Sequence, residues 1–280
     1  MSKSAKPGMH AVVYYSGDLD TASGLTPLTA ATDSVMAKSG STGLVPTRAL
    51  EIVAAFAGAH AGSPGTLKRA RISAPTLNQV FAPAIRPIAP HAYPESDPPL
   101  LLLTEHPLQV PAGEALTVLA ESTTNDSLAA AVLFLRESYE PAPPGPLYIL
   151  RGTNPTSGAT MPVTRVWSPV NCDWDQPLPG GRYAFVWIQY VAATGTSLPI
   201  ALRLVLADQV LRPGALAQPF GYSLPNRQMQ DLAFGVMGTI ESFAMPTCEV
   251  FQLGDADDDF EVYLGLIRLT DASGRPCRCA

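Results

Sequence analysis

The densest run of oxygen donors in this 280-residue chain is GDADDDFE, Gly254 to Glu261, which puts Asp255, Asp257, Asp258, Asp259 and Glu261 within one short stretch. Hard carboxylate oxygens at that density suit calcium, so Asp255, Asp257 and Asp259 are the one candidate metal site. The run departs from a helix-flanked calcium loop. Its sixth position is Phe260 where that loop needs glycine, no glutamate stands at the twelfth, and both flanks read as strands. A solvated turn between Leu253 and Glu261 is the competing and simpler reading, and apart from calcium no cofactor is expected.

Other catalytic chemistries find less support. The four histidines, His10, His60, His91 and His106, all lie in the first 106 residues, and none stands in a G-x-S-x-G context. Glycine loops that cradle phosphates are absent. A facing pair of carboxylates for glycoside hydrolysis has no local motif to mark it, so the chain is not expected to be an enzyme. Cys172, Cys248, Cys277 and Cys279 match neither a disulfide-dense framework nor a C-x-x-C zinc pattern. Free thiols are the expectation, with an intermolecular link through the Cys277-x-Cys279 tail as the alternative. Trp167, Trp174, Trp187, Tyr183 and Tyr190 are candidates for a sugar-stacking platform, and alternation would put Tyr183, Phe185 and Trp187 on one strand face. Filling a core is the preferred use of such a face.

The charge balance narrows the partners. A net charge of −6, with 18 basic residues scattered along the chain, offers no stripe to neutralise a run of phosphates, so sequence-specific nucleic-acid binding is not expected. Lys3 and Lys6 read as a solvated terminus. The first twenty residues hold only Ala11 to Tyr15 as an apolar run, too little for a secretory signal. The window from Ala49, ALEIVAAFAGAHAG, carries Glu51 and His60 and is too short to cross hydrocarbon.

The elements that would carry any site are strands. Twenty-eight prolines exclude long helices over most of the chain, and the runs between them are rich in Val, Leu, Ile, Tyr and Phe with period-two alternation. A Ser, Thr, Gly and Ala-rich stretch before Leu50 reads as an arm, with one short helix over Thr29 to Lys38. Six strands are predicted at 51–57, 66–73, 100–105, 115–122, 129–136 and 147–151. Six more follow at 163–168, 182–191, 199–207, 232–243, 247–253 and 260–269, with a strand-poor loop from Leu211 and a helical turn near Asn226. This predicts an arm over 1–48 and two consecutive sandwiches over 49–154 and 155–280.

A phrase is also written twice: Val110 to Leu135 and Pro177 to Leu206 share a Pro-Gly turn (Pro111–Ala112–Gly113 and Pro179–Gly180–Gly181), an apolar strand, a polar loop, Ser-Leu and a second strand. Either two hairpins resemble one another by chance, or a sandwich is duplicated and each copy donates equivalent strands.

Over about Ala49 to Leu269 the chain resembles the major capsid proteins of tailless icosahedral bacteriophages, the double jelly-roll group of corticovirus and Finnlakevirus type. The resemblance rests on length, on the two β sets, and on the phrases LPGGRYAFVWIQ and LRPGALA. It implies an all-β fold of two jelly rolls with an N-terminal arm, and homotrimers forming pseudo-hexameric capsomers that tile an icosahedral virion shell. It further implies neighbouring capsomers and penton or minor capsid proteins as partners, with a membrane or genome beneath and assembly in the host cytoplasm. The arm before Leu50 would act as the contact switch. A β-sandwich that binds carbohydrate on a spike or fibre is the alternative.

Overall fold

The computed structural model describes residues 8–19, 24–59, 67–80, 83–85, 101–123, 125, 127–154, 164–192, 199–207, 210–219, 234–254 and 259–277. Among them the chain is almost wholly β, in curled sheets, and the one helix, α1 (Pro75–Val80), has six residues. No helix among them is long and apolar enough to cross a membrane. By internal contacts the chain divides into an N-terminal unit, Val12–Leu135 with Arg165–Trp167, and a C-terminal unit, Met1–Ala11, Arg136–Thr164 and Ser168–Ala280.

The N-terminal unit contains β1 (Met9–Leu19) from Val12 onward, β2 (Thr26–Pro27), β3 (Thr29–Ala30), β4 (Ala37–Ser39), β5 (Gly43–Val45), β6 (Leu50–Ala59), β7 (Leu67–Ser73), β8 (Ala84–Ile85), β9 (Leu101–Leu102), β10 (Leu108–Val110), β11 (Thr117–Ser122) and β12 (Ser127–Arg136) as far as Leu135. One sheet runs β10-β6-β12-β1-β3, with β9 also on β6; the other runs β2-β11-β7-β8. Their facing sides share one core, in which Tyr14, Leu50, Ile52 and Leu133 from the first sheet meet Ala70, Ile72, Val118 and Ala120 from the second. Alternation explains the second sheet well: in β7, Leu67, Ala70 and Ile72 are buried while Lys68, Arg69 and Arg71 are exposed.

The C-terminal unit contains β13 (Leu147–Thr153), β14 (Ser168–Val170), β15 (Asp173–Trp174), β16 (Arg182–Ala192), β17 (Pro199–Val205), β18 (Gly214–Pro219), β19 (Gly238–Glu241), β20 (Thr247–Gln252) and β21 (Phe260–Arg268). Their hydrogen-bonded path is β14-β20-β17-β18-β16-β21-β13-β15, with β19 also on β16. β18 joins the two halves, antiparallel to β17 and parallel to β16. Proline placement follows the missing donor: Pro27 and Pro169 sit on the edge strands β2 and β14, and Pro199 opens β17.

Several expectations are revised. The described part of the stretch before Leu50, residues 8–19 and 24–49, is built into the fold: β1 to β5 lie in it, and Val12, Tyr14, Leu28, Ala30, Met36 and Leu44 belong to the core cluster. No helix forms over 29–38, because the Asp33 carboxylate accepts hydrogen bonds from the Val35 and Met36 amides (2.7 and 3.0 Å) and holds a turn there. Leu147–Arg151, expected in the first sandwich, pairs along β21 instead, so the division comes at 135/136 rather than 154/155. The loop expected from Leu211 contains β18, and the helical turn near Asn226 lies outside the described residues.

The doubled phrase proves to be two unlike pieces. Its first copy spans β11 and β12, its second β16 and β17. In each copy the two strands lie in different sheets or at separate places on the path, so neither copy is a hairpin. The turns themselves are specific. Gly181, at φ 142°, lies so close to the Thr270 carbonyl that a β-carbon would collide with it, and the turn is clamped by hydrogen bonds between Gly181 and Ser242 (3.0 Å each way).

Candidate functional site

Asp255 and Asp257 lie outside the described residues. Asp259 is described, and it closes a corner: its Oδ1 accepts from Asn154 Nδ2 (3.0 Å) while Asn154 Oδ1 accepts from the Phe260 amide (3.0 Å). That pairing ties the end of β13 to the start of β21. Among the described residues no group of three or more His, Cys, Asp or Glu side chains converges as a metal site. His10 is fully buried, and its Nδ1 accepts from the Arg212 amide (3.1 Å); His106 is exposed, and His60 and His91 lie outside the described residues.

The aromatic stripe is split by a bulge. The pairing of β16 with β21 shifts register between Phe185 and Trp187, where Phe185 faces Leu266 and Trp187 faces Gly265. Tyr183 and Phe185 are fully buried, whereas Trp187 belongs with Ala184, Val186 and Ile267 on the opposite face. The strict alternation predicted from sequence therefore fails at Val186. Tyr183 is used inside: its ring meets Tyr148 edge-on at 5.8 Å and its hydroxyl donates to the Pro179 carbonyl (2.7 Å).

Sequence reasoning gave no warning of the face that results. On the outer side of β13, Leu147 and Ile149 are exposed, paired with Ile267 and Gly265 of β21; the Trp187 indole packs over Gly265. Along the same face Arg151 donates to Glu261, and the Tyr263 hydroxyl donates to the same carboxylate. The Arg151 hydrogen bond holds the Glu261 carboxyl below its ordinary range against the opposing effect of burial. Further exposed apolar residues are Tyr139, Val166, Val210, Leu102 and Phe243, the last 86% exposed on the turn between β19 and β20.

Charges inside the fold are paired. Arg203, 1% exposed, donates from Nε to Glu249 (2.6 Å), and Arg212 donates to the other oxygen of that carboxylate. Glu121 in the N-terminal unit takes Lys68 (2.8 Å) and Arg69 in the same way. In these clusters each carboxylate accepts from two cationic side chains, and Arg203 is the most enclosed of the charges involved. Cys172, Cys248 and Cys277 are thiols; Cys279 lies outside the described residues.

Compared with protein-family models, with curated proteins and with solved structures, the chain matches none.

Proposed function

We propose that this chain is a major capsid protein of the double jelly-roll type, a structural subunit that tiles a virion shell with copies of itself. One observation carries the reading. Lettered B to I in chain order, strands β1, β2, β6, β7, β8, β10, β11 and β12 give sheets ordered B-I-D-G and C-H-E-F. The same letters on β13, β14, β16, β17, β18, β19, β20 and β21 give both orders again. The accessory strands correspond too, β3 lying beside β1 and β15 beside β13. That order matches a jelly roll, and its recurrence in one chain supports the repeat that a pseudo-hexameric trimer requires.

Composition supports the same reading. Only 15% of residues are charged, and Leu147, Ile149, Val210 and Phe243 face outward, which suits a surface covered by neighbouring subunits. The partners are then sibling chains in homotrimeric capsomers, penton or minor capsid proteins, and a membrane or genome beneath the shell. The contact-switch role of an arm before Leu50 is not retained, because the described residues of that stretch, 8–19 and 24–49, are strands and turns of the folded units.

The test is sizing and negative-stain microscopy of the purified chain at rising concentration. Trimers that close into shells are the expected result. A chain that stays monomeric at every concentration while retaining glycans on an array would overturn the reading in favour of a carbohydrate-binding module.

A further inference from the structure

We propose that Cys172 and Cys248 form an intramolecular disulfide that staples the open edge of the C-terminal unit once the chain meets an oxidising medium. The edge is defined by the sheet path. On one side β18 bridges β16 and β17 by hydrogen bonds; on the other, the path ends at β14 and β15. Those two end strands are consecutive in the chain and joined only by Asn171 and Cys172. β14 has three residue pairs, all with β20, and β15 has two, both with β13. The seam therefore rests on few hydrogen bonds.

Cys172 lies in that seam. Val170 is opposite Cys248 in the β14–β20 register, so a residue two further on comes to the diagonal position on the same side of the ladder. The neighbouring Cys172 thiol is also the first cause of the upward shift of the Cys248 thiol. Gly152 of β13, opposite Trp174, makes room for the sulfur: a β-carbon there would collide with Cys172 Sγ and press on the Trp174 ring. Cys248 is fully buried and Cys172 is half-buried, so an oxidant meets Cys172 first.

The chemistry balances with a small disulfide such as oxidised glutathione as the oxidant. Cys172, as thiolate, attacks one sulfur of the reagent and expels the other half as a thiolate. Cys248 then attacks Cys172 Sγ, losing its proton to water, and expels the second half. Two protein thiols give up two electrons and two protons, and one reagent disulfide becomes two thiols. The Cys172 thiol, and then burial, hold the Cys248 thiol well above its ordinary range, so the second displacement is the slow one. In a reducing cytoplasm the pair stays open, and it closes on release.

The full chain, with its four cysteines, is incubated with oxidised or reduced glutathione. Remaining thiols are then alkylated in denaturant and the digest is read by mass spectrometry, with a melting curve taken on each sample. The oxidised sample should yield a Cys172–Cys248 linked peptide and melt roughly 5–15 °C higher, and the gain should vanish in Cys172→Ser. Full alkylation of both cysteines after oxidation, glutathione retained on Cys172 with no linked peptide, or linkage of Cys172 to Cys277 or Cys279 would each overturn the proposal. If Cys172→Ser is poorly folded, the wild-type peptide map decides alone.

Discussion

In the N-terminal unit the core between the sheets is built from Ala, Val, Leu and Ile with Met36, and Tyr14 is the one ring in the cluster. In the C-terminal unit the largest fully buried side chains are Tyr183, Tyr190, Phe185, Phe251, Phe260 and a charged one, Arg203. Eight strands of each unit nevertheless follow the same order. Two fillings of one arrangement separate what dictates order from what dictates packing. Alternation, edge prolines and turns that only glycine can make fix which strand lies where. The core needs only apolar volume of the right total, reached with many small residues or with fewer large ones.

The sharpest way to break this comparison is to attack the buried charge that only the C-terminal unit carries among the largest enclosed side chains. Glu249→Ala removes the carboxylate to which both Arg203, whose side chain is 2% exposed, and Arg212 donate, and should cost about 3–5 kcal/mol in urea denaturation. Replacing Arg203 and Glu249 together by Met should cost less than the single change, since the enclosed guanidinium leaves with its partner and Arg212, 19% exposed, is the group that loses an acceptor. A Glu249→Ala protein within about 1 kcal/mol of wild type would mean that Arg203 is held by its other contacts and that the two cores differ only in volume.

The corresponding polar group of the N-terminal core is Tyr14. Its hydroxyl donates to the Leu116 carbonyl at 2.7 Å, and that carbonyl also accepts from the Leu44 amide. Tyr14→Phe therefore leaves no acceptor empty, and the expected loss is about 0.5–1.5 kcal/mol, read from the same denaturation curves. A larger loss would show the all-aliphatic core to be as dependent on one polar contact as the aromatic core is on its ion pair.

How far the sequence disclosed this arrangement depends on strand length. β6, β7, β11, β12, β16, β17, β20 and β21 each hold six or more residues, and their runs of apolar residues place them within a few positions. β2, β3, β8 and β15 have two residues each, too few for any period to register. β1 lies in a stretch whose Ser, Thr, Gly and Ala content reads as an arm, and its first six residues are all buried, so alternation is missing where it would mark a strand. β18 was hidden among prolines, and the bulge at Val186 moved Trp187 off the face that strict alternation gave it. The cysteine pair was illegible for another reason: Cys172 and Cys248 are far apart in the chain and are brought together only by the register of β14 on β20.

The smallest effect is electrostatic and should have the same sign in both units. Glu261 is held below its ordinary range first by the hydrogen bond from Arg151, then, against the cost of burial, by the Tyr263 hydroxyl. Glu121 is lowered first by Lys68 and then by Arg69. A carboxyl whose folded value lies under its unfolded value stabilises fully above the unfolded value, and that contribution fades as pH falls through the folded one. Glu261→Gln should therefore weaken the protein near neutrality by about 1 kcal/mol or less, a modest figure because Arg151 is 44% exposed and screened. The deficit should shrink between about pH 6 and pH 3, as wild type loses what the variant never had. Denaturation midpoints taken across that range check it: parallel curves for the two proteins would mean that the Arg151–Glu261–Tyr263 row shapes the outer face without stabilising the fold.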